Sequence, residues 1–427
     1  MGMTRTVHRS WRVMALRWLC AWIVLGLVGC TALPRRDAPP KLFSAATPVG
    51  FPADVRFLST DRASVERASV VGLQRLRASS TDGVIRALAL SGGGAGGAFG
   101  AGALVGLSRR HERPQFDVVT GVSAGALIAP FAFLGPEWDA QLINGVLSTR
   151  GERMSLHGLL SLPFGATRRT AALRALVDQY ITHELVSAVA RAAASGRILW
   201  VATTDLDKEE TVIWDMGAIA ARGGEPARRL FRDVLVASAS IPGVFAPVLI
   251  RVQQGGKLYE EMHVDGNAST SLFIAPVAAY FALLDQHTLD GARVYLLING
   301  QIIDAPETTP VKLGPIVARS LSVALKHMSR AQVIAVDQFA EKYRMSVQST
   351  CLPFDYPTFS PADFAPSTLR ALFEYGAQCA ESGRLWTTID QTMNVVTAAA
   401  SVASEPGPSE RRAQCPLRDA QFVAEER

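Results

Sequence analysis

The chain has 427 residues, 48% of them hydrophobic and 19% charged, with a formal net charge of +5. That length and apolar content can enclose a sizeable core, and they exclude a globally disordered chain. Four of the five net positive charges lie in residues 1–29, so the remainder carries about +1 and makes no case for nucleic acid as a partner.

Arg5, Arg9, Arg12 and Arg17 precede the apolar run Trp18–Gly29, which is too short to cross a bilayer comfortably. Residues 1–29 therefore read as a secretory signal peptide, in preference to a short membrane anchor. The run closes on Leu27-Val28-Gly29-Cys30, which resembles the lipobox of bacterial lipoproteins. The resemblance implies cleavage before Cys30, acylation of Cys30, and a membrane anchor of several acyl chains in the cell envelope. Thr31, where such proteins often carry Asp to stay at the inner membrane, points to the outer membrane. Cys351, Cys379 and Cys415 then face an oxidising compartment. They allow one bridge, with Cys351–Cys379 closing the shorter loop, or three unpaired small hydrophobes. No Cys/His spacing resembles a zinc site.

Residues 30–83 are rich in Pro, Ala and Ser and read as a tether and lead-in. Val84–Leu90 is an apolar run like a buried strand, followed by Ser91-Gly92-Gly93-Gly94-Ala95-Gly96-Gly97 and then a small-residue helical run. Phe116–Thr120 reads as the next strand. It leads into Gly121-Val122-Ser123-Ala124-Gly125 and a further helix, the strand–turn–helix context that a G-x-S-x-G elbow needs. Further strands are expected at 197–202, 211–214, 244–250, 261–264 and 293–298, with helices at 171–181, 226–238 and 311–326. This alternation over residues 84–300 predicts a three-layer α/β/α domain around a mostly parallel central sheet. Residues 301–403 read as a helical C-terminal extension, with helices at 329–343 and 368–381 and Ser367 as a cap for the second. Residues 404–427 read as a loose tail.

The two glycine clusters supply parts of an acyl-transfer site. Gly121 and Gly125 leave room for the sharp turn that exposes the Ser123 hydroxyl. The upstream loop can aim backbone N–H groups at a developing oxyanion. That loop lacks the Gly-Lys-Ser/Thr ending of a phosphate-binding P-loop. A dinucleotide loop fits its glycines, but the end of the next strand, where an acid is wanted, holds the serine elbow instead. For the base, His287 and His327 follow in the chain without distinctive neighbours, whereas Val264-Asp265-Gly266-Asn267 puts a carboxylate at a strand end.

In order, Gly92–Gly97, Gly121–Gly125 and Asp265-Gly266-Asn267 resemble the G-G-G-x-K/R-G, G-x-S-x-G and D-G-G/A motifs of the patatin-like phospholipase family. Ala239–Pro247 also resembles that family's A-S-x-x-x-P-x-x-F-P-P segment, and the likeness covers residues 86–300. Two positions depart from the pattern: Gly96 replaces Lys or Arg, and Asn267 replaces Gly or Ala.

The resemblance implies a patatin-like fold and a Ser123–Asp265 dyad. Ser123 would be the nucleophile and Asp265 the general base, and Gly92, Gly93, Gly94 and Ala124 would form the oxyanion hole. No metal or cofactor is expected. Near-neutral to mildly alkaline activity is expected on phospholipid, lysophospholipid or another lipid acyl ester at a membrane. Val244-Phe245, Leu272–Ile274 and Leu156–Phe164 are candidates for an acyl groove or for plain core, and residues 151–170 for a lid. Two other readings stand beside this one: a catalytically weak lipoprotein of the same fold that binds lipid or a partner, and an esterase that uses His263, His287 or His327.

Overall fold

A computed structural model describes residues 46–80, 82–148, 165–276, 289–303 and 308–393, with the short pieces 35–36, 279, 287 and 415–416. The signal peptide, Cys30, most of the tether, the segment Leu156–Phe164 and the 404–427 tail, apart from Cys415 and Pro416, lie outside the described residues. The N-terminal half of the chain contributes β1 (Thr47–Pro48), β2 (Arg56–Leu58), α1 (Arg62–Ser79), β3 (Arg86–Leu90), α2 (Gly97–Arg109), β4 (Val118–Val122), α3 (Ala124–Leu134), α4 (Asp139–Val146), α5 (Gly165–Tyr180) and α6 (His183–Ala194). Next come β5 (Ile198–Asp205), β6 (Glu210–Asp215), α7 (Met216–Ala221), α8 (Gly224–Ser238), β7 (Val248–Gln254) and β8 (Lys257–Asp265). The last elements are β9 (Arg293–Gln301), α9 (Leu313–Lys342), β10 (Ser346–Leu352) and α10 (Pro366–Glu381).

The strands form one sheet. Its parallel part runs β10-β9-β3-β4-β5, and beyond β5 the pairing turns antiparallel, through β8 and β7 to β1 and through β6 to β2. Strand alternation gives each face its own core. Leu88, Leu90, Val119, Leu199 and Val201 meet the helices α2, α3, α6, α8 and α10. Ala89, Val294 and Leu296 meet α9, and Val118, Ile198 and Trp200 meet α1. The chain is thus an α/β/α sandwich of the predicted kind.

The register on β5 positions the site. β4 pairs along β5 as far as Val122 opposite Ala202. On the same edge β8 takes over at the next residue, with Asp265 opposite Thr203. The end of β8 is therefore delivered to the end of β4, although the two lie 142 residues apart at the serine–aspartate contact.

Four expectations change after residue 300. Residues 301–403 are not helical throughout, because Ser346–Leu352 is an edge strand parallel to β9. The patterns at 311–326 and 329–343 are one continuous helix. Its successor is capped at Ala365, with Pro366 in the first turn, so Ser367 lies inside it. The bridge joins Cys379 to Cys415, with Cα atoms 5.4 Å apart, and Cys351 is free. Cys351 packs on the α9 side of the sheet and Cys379 on the α10 side, so the sheet separates them and forbids the shorter loop. Burial pushes the Cys351 thiol up to about 12, which leaves it inert.

Candidate functional site

Ser123 stands at the turn between β4 and α3 with φ 53° and ψ −122°, a conformation that L-residues rarely hold. Strain of this kind, about 1–3 kcal/mol, persists only when the surroundings fix it. They do so here through α8. The Ser123 N–H donates to Ser238 Oγ at 3.0 Å, and Ser238 Oγ donates to the Ala202 carbonyl at 2.7 Å. A Cβ on Gly125 would fall 2.3 Å from the Leu90 carbonyl oxygen, and one on Gly121 would fall 2.7 Å from Ala126 Cα, so neither position tolerates a side chain.

Ser123 Oγ donates to Asp265 Oδ2 at 2.6 Å, and both residues are buried. The other carboxylate oxygen accepts the Asn267 N–H at 2.8 Å, and the Asp265 N–H donates to the Ser240 carbonyl at 3.0 Å. Burial pushes the Asp265 carboxyl up to about 7, against the smaller lowering effect of the Ser123 and Asn267 hydrogen bonds. Its two protonation states therefore exchange near neutral pH, as a general base requires.

Ser238 and Ser240 brace the two members of this pair, and the sequence reading missed both. The signal was present in the register. The A-S-x-x-x-P spacing is met from Ala237 to Pro242, two residues before the alignment that begins at Ala239. Ser238→Ala would strip the buried Ser123 N–H of its acceptor. It is expected to destabilise the fold by about 1–3 kcal/mol, measured as a lower denaturant midpoint. An unchanged midpoint would mean that the elbow is held by something else.

The glycine loop lies directly against the serine. A Cβ on Gly92 would sit 3.0 Å from Asn267 Cγ and 3.2 Å from Ser123 Cβ. Gly92 itself is not a free donor, because its N–H is spent on the Ser271 carbonyl at 3.0 Å. This corrects the expected oxyanion set. Among the described residues, no acceptor takes the N–H groups of Gly93, Gly94 or Ala124.

The loop is wedged from two sides. Cβ atoms on Gly93 and Gly94 would fall 1.8 Å from the Asn299 carbonyl oxygen and 2.0 Å from that of Pro361. Asn299 also ties down Ser91, with its N–H on Ser91 Oγ at 2.8 Å and its Nδ2 on the Ser91 carbonyl at 2.6 Å. The departure at Gly96 has a local reason: a Cβ there would meet the Asn299 carbonyl oxygen at 2.1 Å, with Phe359 behind it at 3.5 Å. Where the motif has a cation, this chain packs its own backbone and an aromatic ring.

An apolar cavity of about 110 Å³ opens beside the loop, lined by Gly94 and Ala124 at one end and by Leu127, Leu142, Val177 and Tyr180 beyond them. The described residues among those expected to line an acyl groove lie elsewhere. Phe245, Leu272 and Phe273 are buried core, the last two on the opposite face of the sheet. Residues 149–164, which hold most of the expected lid, fall outside the described part. No described histidine bonds to Ser123 or Asp265. His263 is buried against Thr203 Oγ1 and Glu261, His287 pairs with Asp290, and His327 is exposed.

Among the described residues, one cluster has metal-like composition: Asp205, Glu261 and His263, with ligand atoms within 4.8 Å of one another. The Lys208 ammonium already sits there, 2.9 Å from Asp205 and 2.6 Å from Glu261, and Arg56 pairs with Glu261 as well. Burial raises the Glu261 carboxyl, but His263 and Arg56 outweigh it and hold it well below the usual carboxylate range. Two cations thus balance two carboxylates, so a divalent ion has no charge to neutralise.

Residues 88–277 match the family described as patatin-like phospholipase. No curated protein sequence matches the chain. Among solved structures, it is similar to VipD from Legionella pneumophila, at 13% identity over 72% of this chain and 68% of that one, TM-score 0.31. It is similar to human GIVD cytosolic phospholipase A2, at 11% identity over 81% and 66%, TM-score 0.35. The type III effector ExoU of Pseudomonas aeruginosa aligns at 13% identity over 75% and 58%, TM-score 0.25. Such distant likenesses carry no residue or activity across, so the assignment rests on the family match, whose span holds both glycine clusters, Ser123 and Asp265. By that match the chain carries a patatin-like phospholipase domain and belongs with the lipid acyl-ester hydrolases.

Proposed function

We propose that the protein is a serine acyl hydrolase that cleaves phospholipid or lysophospholipid acyl esters through a Ser123–Asp265 dyad. The observation that carries this is the 2.6 Å hydrogen bond from a strained elbow serine to a buried carboxylate that titrates near neutrality. Ser123 Oγ attacks the ester carbonyl while its proton passes to Asp265 Oδ2. The tetrahedral oxyanion is met by N–H groups of Gly93, Gly94 and Ala124, fixed in place before reaction. Asp265 returns the proton to the departing alcohol, leaving an acyl-enzyme on Ser123. Water then gives a proton to Asp265 and attacks the acyl carbon; as that intermediate collapses, the acyl–Oγ bond breaks, Asp265 returns the proton to Ser123 Oγ, and the fatty acid leaves with the dyad restored. The apolar cavity beginning at Gly94 and Ala124 takes the acyl chain. Acylation at Cys30 holds the enzyme on a bacterial envelope membrane, the outer one on the strength of Thr31, so that substrate arrives from the bilayer.

A second reading, a catalytically weak lipid-binding lipoprotein, is favoured by Gly96, which stands where the motif carries Lys or Arg. Labelling with a fluorophosphonate followed by peptide mass analysis separates the two. An adduct on Ser123, blocked by prior incubation with lysophospholipid, is expected. Lipid binding with Ser123 unmodified would establish the second reading instead.

A further inference from the structure

Asn267 holds Asp265 Oδ1 through its backbone N–H, but its side chain has no part in the dyad chemistry. That side chain is a departure from the motif, which carries Gly or Ala at this position. It is projected by a rigid turn. Gly266–Ala268 form a single helical turn at the end of β8, closed by the Ser269 and Thr270 N–H groups on the Gly266 carbonyl at 3.1 and 2.8 Å. A Cβ on Gly266 would fall 2.5 Å from the Ala202 carbonyl oxygen, so the turn sits directly against β5. From there the carboxamide reaches back to the nucleophile. Asn267 Cγ, Asn267 Oδ1 and Ser123 Cβ all lie within 3.2 Å of one point, the place that a Cβ on Gly92 would take. Asn267 Oδ1 is buried and has no hydrogen-bond partner among the described residues. Buried acceptors are seldom left unpaired. Beside a reacting serine, such an atom marks the place of a donor that arrives with the chemistry.

The identity of that donor follows from what differs between the two halves of the reaction. In acylation, the atom that meets Asp265 is the ester oxygen of the leaving alcohol. It takes its one proton from Asp265 and has no second hydrogen to give to Asn267. In deacylation the same place is taken by water, which has two. One goes to Asp265 Oδ2, and the other is left to donate to Asn267 Oδ1, which can only accept. A water held by two fixed acceptors has a lone pair directed at the acyl carbon. An alcohol in its place satisfies one acceptor and leaves the other buried and unpaired.

We propose that Asn267 is a catalytic residue of the second half-reaction: its Oδ1 accepts the second hydrogen of the attacking water and so directs the acyl group to water in preference to alcohols. This rests on the Ser123–Asp265 reading. Water gives one proton to Asp265 Oδ2 as its oxygen bonds to the acyl carbon. The acyl–Oγ bond then breaks, Asp265 returns the proton to Ser123 Oγ, and the hydrogen held by Asn267 leaves on the fatty acid. The full-length protein is given p-nitrophenyl butyrate in aqueous methanol, and butyrate and methyl butyrate are both measured. Asn267→Ala is expected to raise the ratio of methyl ester to acid about tenfold, the scale of one hydrogen bond. Butyryl-Ser123 should accumulate, seen as added mass on the intact protein, after a p-nitrophenol burst of wild-type rate. The ratio is set once the acyl-enzyme has formed, so a loss of folded protein does not move it. Asn267→Asp keeps an acceptor oxygen and should return the ratio close to the wild-type value. An unchanged ratio in Asn267→Ala overturns the proposal, and if burst and turnover also fall together, the amide serves the oxyanion common to both halves. A ratio as high in Asn267→Asp as in Asn267→Ala overturns it too. If wild type releases no p-nitrophenol and forms no butyryl-Ser123, the dyad reading itself falls, and the role of Asn267 with it.

Discussion

Ser123→Ala is expected to lower kcat for a soluble acyl ester by about 10⁴–10⁶-fold, the scale seen when the nucleophile of a serine hydrolase is removed, with little change in the folded structure. The two effects separate because of how the elbow is held. The backbone at φ 53° is fixed by the Ser238 hydroxyl, by the sheet register and by the glycines on either side, none of which uses the Ser123 side chain. Alanine meets the same backbone strain as serine. What is lost is Oγ and its hydrogen bond to Asp265. That bond lowers the carboxyl, so its removal moves Asp265 further up and further from the ionised state. The thermal midpoint should therefore stay within a few degrees while turnover disappears. Initial rates and a melting curve on the same preparation check both halves. Turnover within tenfold of wild type would remove Ser123 from the reaction.

Much of this site was legible in the sequence because its parts are local. A strand leading into a glycine-flanked serine, and a strand ending in Asp-Gly, each carry their own turn chemistry, and Ser123 and Asp265 stand together as those motifs imply. What was not legible is contact made by packing from afar. Gly92 carries the same residue type as Gly93 and Gly94, but only the fold shows that its N–H is taken by Ser271. Asn299 and Pro361 press on the loop from beyond the matched segment, and nothing in their local sequence announces it. β10 was hidden because Ser346–Leu352 mixes polar and apolar residues at an edge, where its outer side is met only by a bridge from Ser349 to Thr387. The disulfide shows the same limit: loop length favoured Cys351–Cys379, and the sheet between them decided otherwise.

The loop and the dyad also explain each other. With Gly96 closed by the Asn299 carbonyl and Phe359, the motif's own cation is missing from the loop and does not act on Asp265. Among the causes acting on that carboxyl, burial is the largest and no positive charge appears. A carboxylate poised near 7 is a stronger base than an ordinary one near 4, so the absence of the cation favours proton abstraction while the backbone N–H groups carry the oxyanion.

Asp265→Asn is the test with opposite effects on rate and stability. The amide keeps the carboxylate's shape and an oxygen for the Asn267 N–H, but it presents a donor to Ser123 Oγ and cannot take its proton. Turnover should fall by about 10²–10⁴-fold, the usual contribution of a positioned base. The pH dependence follows from the shift. The Asp265 carboxyl moves from 3.8 to about 7 on folding. A raised folded value means that its contribution to stability is complete below about pH 4, where both states are protonated. That contribution is lost as pH rises through 7, because the unfolded chain releases the proton first. Wild type should thus lose stability between pH 4 and 7, by on the order of 4 kcal/mol at about 1.4 kcal/mol per unit. The asparagine variant should lack this term, so it should match wild type most closely near pH 4 and exceed it near pH 8. In wild type, kcat/KM should rise with pH and level off above about 7, as the fraction of ionised Asp265 grows. Denaturant melts at pH 4 and 8, set beside a pH–rate profile, read all three. A variant that is less stable than wild type at pH 8, or an acid limb centred below pH 5, would show that Asp265 is held ionised, and the base would have to be sought elsewhere.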